Sequence, residues 1–471
     1  MVTKSGGKQG KLVITTLESL MPEEHFLRDL NNLVNFDFIY EKVEHLYSST
    51  GRPSIDPVVL VKMLLLGYLY GIDSERKIER EVKVNIAYRW FLGIDLDEPV
   101  PDHSTLSQIR RHKFSGRKLW NEIFDEVVRK CIEAGLVDGK LLLVDSTHVR
   151  ANADNTKRET ITVINEPSEY MQRLDRLALE AGLIGSTEKK HGILKTKQVT
   201  KSIIDPESGI LARPGKPTGF HYLSHQTCDG KSGIITDVYV TPGNVQDNEV
   251  FVERITTQID KFRFDIKEVG ADGGYDVNKI HKDMLDLGIK TYIPIVNQEQ
   301  PRSAVFPPSR FVFNEENNVY ICPNNCILTY RTYRKGQGRL KYCGDSKDCM
   351  NCPLKSQCIS PAMTHREIER PYHKTEADKQ RENTKAVRFG EVKYLRKIRC
   401  EGNFAIQKDN HNLRRTRKRG LANAYEHCLL SALALNLKRL VKGLKEKPLL
   451  CFTNIAFTPL LLRRQLFCSN S

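Results

Sequence analysis

Apolar positions in the first third of the chain recur at helical spacing and then give way to short continuous runs. Pro53-Ser-Ile-Asp-Pro57 leads into VVLVKMLLLGYLYG, whose length and closing Gly71 predict a buried helix. Ser74 opens a second predicted helix, ERKIEREVKVNIAYRWFLG, in which Ile78, Val82, Ile86 and Trp90 stand four apart on one face, opposite a charged side. Carboxylate and hydroxyl side chains at 102–105 precede LSQIRRHKFS and predict a third helix that ends in basic residues. Three short helices with basic flanks suit a helix-turn-helix unit and suit a plain packing bundle equally well.

The texture changes near Lys140. Leu141-Leu-Leu-Val144 is an apolar run ending in Asp145-Ser-Thr-His148 and reads as a strand buried on both faces. A polar stretch to Leu194, helical or loop, precedes GFHYLSHQTCDGKSGIITDVYVTPGN, where Asp229-Gly230 between two strand-like runs signals a hairpin. Segments 250–264 and 278–287 read as helices, and 266–271 and 290–295 as strands, which together predict a mixed α/β sheet. Residues 297–375, rich in Pro, Asn, Cys and basic residues, break that pattern and are expected to form an inserted subdomain. Helix resumes near Thr375, runs with interruptions to Lys408, and is followed by LANAYEHCLLSALALNLKRLVKGLK, apolar around most of its circumference and expected to pack on the sheet.

Composition narrows the function. The 471 residues call for more than one domain or subdomain. Lys and Arg number 73 against 58 Asp and Glu, a net charge of +15, so a polyanion is the expected partner, with nucleic acid ahead of an anionic membrane. The opening MVTKSGGKQGKLVITTLESL has no apolar secretory core, and the runs 58–70 and 451–462 fall short of the roughly 20 residues that span a bilayer. A cytoplasmic protein without a membrane segment is expected.

Asp is depleted in strands, and a buried carboxylate is costly unless paired or metal-bound, which singles out Asp145. Asp272 follows the predicted strand 266–271 and precedes Gly273-Gly274, which permit a tight turn. Sites in α/β sheets collect at the carboxyl ends of strands, so both acids could converge there, although a cap and a turn would explain each singly. On an α-helix Tyr394, Lys397, Glu401 and Lys408 fall within an arc of roughly 60°, an acid flanked by two cations and a phenol. A solvated stripe with a Lys397–Glu401 pair is the plainer account. Three carboxylates from separate elements suit hard divalent cations, and nearby lysines suit phosphates.

LLLVDSTHVRANAD, GIITDVYVTPGNVQDNEVF, EVGADGGYD and YLRKIRCEGNFAIQK, in this order, resemble the DDE transposases of bacterial insertion sequences. The helical region before residue 113 resembles the domain that precedes catalysis in that group. The resemblance implies a ribonuclease-H-like mixed-sheet catalytic core, an N-terminal all-helical domain and a cysteine-rich insert. It divides the chain into 1–130 (helical, helix-turn-helix), 138–296 (core, first part), 297–375 (insert), 376–446 (core, second part) and a tail, 447–471. It makes Asp145, Asp272 and Glu401 the catalytic ligands of two Mg²⁺ or Mn²⁺ ions that cut and rejoin double-stranded DNA. The third-acid helix of the family carries Tyr, two residues, Arg, three residues, Glu, six residues, Lys. Tyr394, Glu401 and Lys408 match, while Lys397 stands where Arg is expected and cannot fork onto a phosphate as Arg does. Tyr394 and Lys408 would then hold the phosphate of a DNA end, with Lys397 assisting.

Between the second and third acids lie 401 − 272 = 129 positions, which the insert fills. Its Cys322, Cys349, Cys352 and Cys358 include the spacing C-x2-C, suited to tetrahedral Zn²⁺, with Cys326 and Cys343 as further candidates; free thiols or a vestigial cluster are the alternative. Arg414, Arg415, Arg417, Lys418 and Arg419 follow the Glu401 helix and are expected along the DNA backbone, with Arg110, Arg111, His112 and Lys113 as a weaker patch. Pairing two DNA ends implies a homodimer on DNA. The rival readings are an inactive DNA-binding relative and a metal-dependent nuclease without strand transfer.

Overall fold

A computed structural model of the chain describes residues 14–47, 50, 54–114, 117–164, 168–185, 196–212, 218–296 and 305–446. The expected tail, residues 297–304 and Pro53 lie outside the described residues. The strands are, in order, β1 (Leu141–Arg150), β2 (Arg158–Ile164), β3 (Thr196–Ser202), β4 (Gly209–Leu211), β5 (Gly219–Asp229), β6 (Ile235–Pro242), β7 (Glu268–Gly270) and β8 (Lys290–Tyr292). Five more, β9 (Val312–Asn314), β10 (Val319–Ile321), β11 (Ile327–Arg334), β12 (Arg339–Gly344) and β13 (Glu367–Pro371), form an antiparallel sheet of their own.

The central sheet is mixed. β5 runs antiparallel to β1, β4 and β6, whereas β7 lies parallel to β1 and β8 parallel to β7. Leu141 to Val144 are buried because β1 is flanked on both edges and covered on both faces. The predicted strand does not stop at Asp145. It continues to Arg150, since β5 offers a ladder partner for every position from Leu142↔Asp229 to Arg150↔His221. The hairpin signal at Asp229-Gly230 is realised with a loop longer than two residues, tied by the Asp229 carboxylate to the N–H groups of Gly139 and Lys231. β2 and β3 form a separate ribbon; β2 arises inside the stretch read as helix or loop, where Ile161 and Val163 alternate with Thr160 and Thr162, and β3 follows that stretch.

Helix Leu421–Lys445 is buried along most of its length, as its apolar circumference requires. It packs on β5 and β6 and against helices Phe26–Leu33, Pro57–Leu69 and Arg117–Glu133, so one apolar core runs from the N-terminal helices through the sheet. Pro57–Leu69 matches its prediction, with the Asp56 carboxylate accepting from Val58 N–H. The second predicted helix splits into Glu75–Val84 and Ile86–Leu92. Asn85 turns extended there and its side chain caps Ala87 and Tyr88, which leaves Ile78 and Val82 buried and turns Ile86 outward. His103–His112 begins at Asp102 as predicted. Arg110 is not part of a basic surface, because it is half-buried and held between Glu75 (2.8 Å) and Glu426, while Lys113 lies over the Tyr47 ring. Among the described residues no helix is long and apolar enough to cross a membrane.

Candidate active site

Parallel pairing sets the first two acids side by side. Leu143 is opposite Gly270 in the β1–β7 register, and Asp145 and Asp272 each stand two residues beyond that pair. In extended backbone a step of two returns the side chain to the same face, and Asp272 is extended at φ −81° and ψ 175°. Its carboxylate accepts from Gly274 N–H at 2.9 Å, fixing the acid at the start of a short 3₁₀ turn. Asp145 accepts from Ser146 N–H at 2.8 Å, and its side chain is only 13% exposed. Burial pushes its pKa up to about 6; Arg396 and the Ser146 N–H pull it down, and the charges of Asp272 and Glu401 add to the rise. All three acids therefore lie within one electrostatic neighbourhood.

The third acid arrives on a helix laid directly over β7. A Cβ on Gly270 would stand 2.5 Å from Val392 and 3.0 Å from Leu143, so the glycine admits the helix Val387–Arg396 to this approach. That helix passes through a π-helical turn, Lys397–Glu401, before continuing as Gly402–Asn410. The turn alters the phase on which the α-helical arc was reckoned, and no Lys397–Glu401 ion pair forms. Arg396 faces the acids instead: its Nη1 donates to Asp145 Oδ2 at 2.8 Å and its Nη2 to Glu401 Oε1 at 3.2 Å. Five residues separate Arg396 from Glu401, the i→i+5 spacing of a π-turn. The sequence pattern missed Arg396 because α-helical periodicity turns it off the Glu401 face; its two-residue offset from Tyr394 gave no other signal.

A cavity of about 520 Å³ opens beside the first two acids, lined by Asp145, Asp272, Asp247, Thr147, His148 and Lys408 among others; Glu401 stands outside this lining. Lys408 donates to Thr147 Oγ1 at 2.6 Å and lines the same cavity as Asp145 and Asp272. Tyr394 is 64% exposed and Lys397 is exposed. Asp247 was missed; it lies in the quoted motif GNVQDNEVF, and with Asp145 and Asp272 it acts on the buried Tyr275 phenol. The basic segment 411–420 runs along the far end of β1, where Arg150 N–H donates to Arg414 O and Thr416 N–H to Arg150 O. Arg414, Arg415, Arg417 and Arg419 are exposed, but Arg414 is paired with Asp409 and Arg417 with Asp73. Lys418 is half-buried, and burial lowers its pKa to about 8.

Cys322, Cys349, Cys352 and Cys358 gather with Cys326 around a small void of about 30 Å³ at one end of the second sheet. Cys343 does not line it. Its neighbour Gly344 does, and alternation along β12 turns Cys343 to the other face.

Carboxylates beside a polar cavity, with cations around them, are groups that hard divalent cations and phosphates favour. Two family models match the chain: residues 15–112 match one described as Transposase domain (DUF772), and residues 321–441 match one described as Transposase DDE domain. The second match takes in Glu401 and Lys408 as well as the cysteine cluster, while Asp145 and Asp272 lie before it. The protein is a DDE transposase, an enzyme of DNA transposition. Among solved structures, a cryo-EM structure of piggyBac transposase in a synaptic complex with hairpin DNA is similar over 90% of this chain and 76% of that one, at 9% identity and a TM-score of 0.36, a likeness too weak to define the fold. Comparison with curated proteins gave no match.

Proposed function

We propose that Asp145, Asp272 and Glu401 hold two Mg²⁺ or Mn²⁺ ions on a ribonuclease-H-like core, and that the enzyme cuts the ends of an insertion sequence and joins them to target DNA. The observation that carries this reading is the bridge from Arg396 to both Asp145 and Glu401, since it ties the exposed third acid to the buried first one. The strand order supports the core assignment: three antiparallel strands, β6, β5 and β1, are followed by β7 and β8 parallel to β1.

The donor set fits a hard cation, being carboxylate oxygen throughout, with Asp145 buried and balanced by one guanidinium. Bound there, divalent ions activate an attacking oxygen and steady the leaving one. The chain supplies the rest. Asp145 and Asp272 are held by backbone N–H groups of Ser146 and Gly274, so neither needs to be ordered by the substrate. Lys408, anchored on Thr147, places a positive charge at the cavity wall for a phosphate of the DNA end. Tyr394 and Lys397 extend that surface, and Arg414, Arg415, Arg417, Lys418 and Arg419 continue it along the duplex.

In this reading the helices up to residue 130 form a DNA-binding domain, the second sheet is an insert in the core, and the protein works in the cytoplasm as a homodimer on paired ends. Asp272→Asn tests the site. It should bind the element's end DNA normally and neither cut nor join it in Mg²⁺. Undiminished cutting removes Asp272 from the site. Cutting without joining by the unaltered protein favours a plain nuclease, and no cutting under any divalent ion favours a binding-only relative.

A further inference from the structure

The second sheet is poorly furnished with apolar core. Its buried cluster is Phe311, Tyr320, Leu328, Tyr342 and Ile368, far short of what holds a sheet of this size without a staple. One end has other support. Tyr333 Oη donates to Asp175 Oδ1 at 2.9 Å, Gly336 N–H donates to the same carboxylate, and Gly338 packs on Leu174, all at the end where β11 meets β12. The opposite end, where β10 leaves, β11 begins, β12 ends and β13 begins, has the cysteines.

We propose that Cys322, Cys349, Cys352 and Cys358 bind one Zn²⁺ as a tetrahedral thiolate site that holds this end of the sheet together. Three separate segments supply the four sulfurs: the end of β10, the short helix Ser346–Met350 with the turn after it, and the short helix Lys355–Cys358. The void among them is the size of one small sphere, and Leu328, Ile359 and Gly344 close its apolar wall. The Cys358 sulfur is within electrostatic reach of the Cys349, Cys322 and Cys352 sulfurs. Backbone N–H groups point at two of the four, Cys326 N–H at Cys322 Sγ (3.2 Å) and Leu354 N–H at Cys352 Sγ (3.4 Å), which favours sulfur in its thiolate form. Lys355 and Arg366 line the same void together with Asp345 and Asp348, so the charged side chains around the sulfurs balance one another.

Cys326 also lines the void, beside the Cys322 sulfur and within electrostatic reach of Cys352; it is taken as the fifth, non-ligating sulfur because it donates to Asn324 O at 3.6 Å. Among the described residues two groups hold three ligand atoms all within 4.8 Å of one another, Cys343 with His365 and Glu367, and Glu79 with Asp102 and His103; the four sulfurs stand further apart than that and would draw together on a bound ion. Ion pairs explain both. Lys341 occupies the Glu367 carboxylate at 2.6 Å, and Lys83 and His103 occupy that of Glu79.

The test is metal analysis of the full-length protein purified without added zinc or chelator. One equivalent of zinc is expected, retained in Cys326→Ser and lost in Cys352→Ser and Cys358→Ser. Because a cysteine variant can misfold, the unaltered protein is also exchanged into Co²⁺, where the intense absorption of a tetrahedral cobalt thiolate is expected. Chelation should then expose 305–372 to protease before the core. Protein without zinc, a disulfide among the four cysteines, or zinc lost as fully from Cys326→Ser as from Cys352→Ser would overturn the proposal.

Discussion

Arg396 and Glu401 stand one π-turn apart, and the guanidinium that meets Glu401 at 3.2 Å also meets Asp145 at 2.8 Å. The arginine is thus the positive charge between two acids proposed as metal ligands. Under that proposal, divalent ions held by the acids would compete with it and would leave its donors available to a DNA phosphate. Arg396→Ala should therefore act in opposite directions on two measurements. Mn²⁺ affinity of the DNA-free protein should rise several-fold, while cleavage of end DNA falls by roughly tenfold or more, about 1.4 kcal/mol of transition-state stabilisation. Calorimetry and single-turnover cleavage check this; a fall in both would make Arg396 a mere structural brace.

The π-turn itself carries a second expectation. Ile398 lies within it and is 45% exposed, so its deletion removes little from the core. Deletion restores a regular helix and rotates residues before the turn by about 100° against those after it. Helix content by circular dichroism should hold, and cleavage should fall by at least roughly tenfold. Normal cutting by this variant would show that the phase between Arg396 and Glu401 is irrelevant to the chemistry.

Buried histidines set an acid limit on stability. His427 is fully buried, with Nδ1 3.0 Å from the Tyr68 hydroxyl and Nε2 2.8 Å from Asn412 O. The carbonyl can only accept, so Nε2 donates and Nδ1 accepts from Tyr68. This neutral ring joins the N-terminal helix Pro57–Leu69 to the segment behind the Glu401 helix. Burial lowers its pKa to about 4, below the usual 6.5, so the unfolded chain takes up the proton first. Its stabilisation is present above pH 6.5 and is lost as pH falls from there toward 4, on the order of 3 kcal/mol in all. Asp145, raised to about 6, works the other way over much of that window. Melting temperatures at about pH 7.5 and about pH 5 should differ less for His427→Gln than for the unaltered protein. An equal drop in both would exclude His427 as the source.

The central sheet was readable from the apolar run Leu141–Val144 and the hairpin signal at Asp229-Gly230, and Asp145 was conspicuous as a carboxylate ending that run. Convergence of the acids was less accessible. The Asp145 and Asp272 arrangement depends on the Leu143↔Gly270 register, and no one-dimensional pattern encodes register between strands so far apart. Arg396 was hidden for a different reason, since a single π-turn changes which residues share a face without changing composition. Arg110 shows the opposite error: a basic cluster reads as a surface until Glu75 and Glu426, distant in sequence, are seen to enclose it.

The same lesson grades the basic segment after the Glu401 helix. Arg417 is held by Asp73 and Arg414 by Asp409, whereas the Arg415 side chain has only a weak contact, 3.4 Å to Asn152 Oδ1. Arg415 is positioned by backbone, since its segment pairs with Arg150 at the end of the strand that carries Asp145. A cation already neutralised by a carboxylate must break that pair before it meets a phosphate, and it displaces fewer counterions when it does. Arg415→Ala should lower the slope of log affinity against log salt for end DNA by about 0.9, and Arg417→Ala by less. Fluorescence anisotropy across a salt series reads both slopes. Equal slopes for Arg415→Ala and the unaltered protein would mean that the DNA leaves the active site by a different path, away from the end of β1.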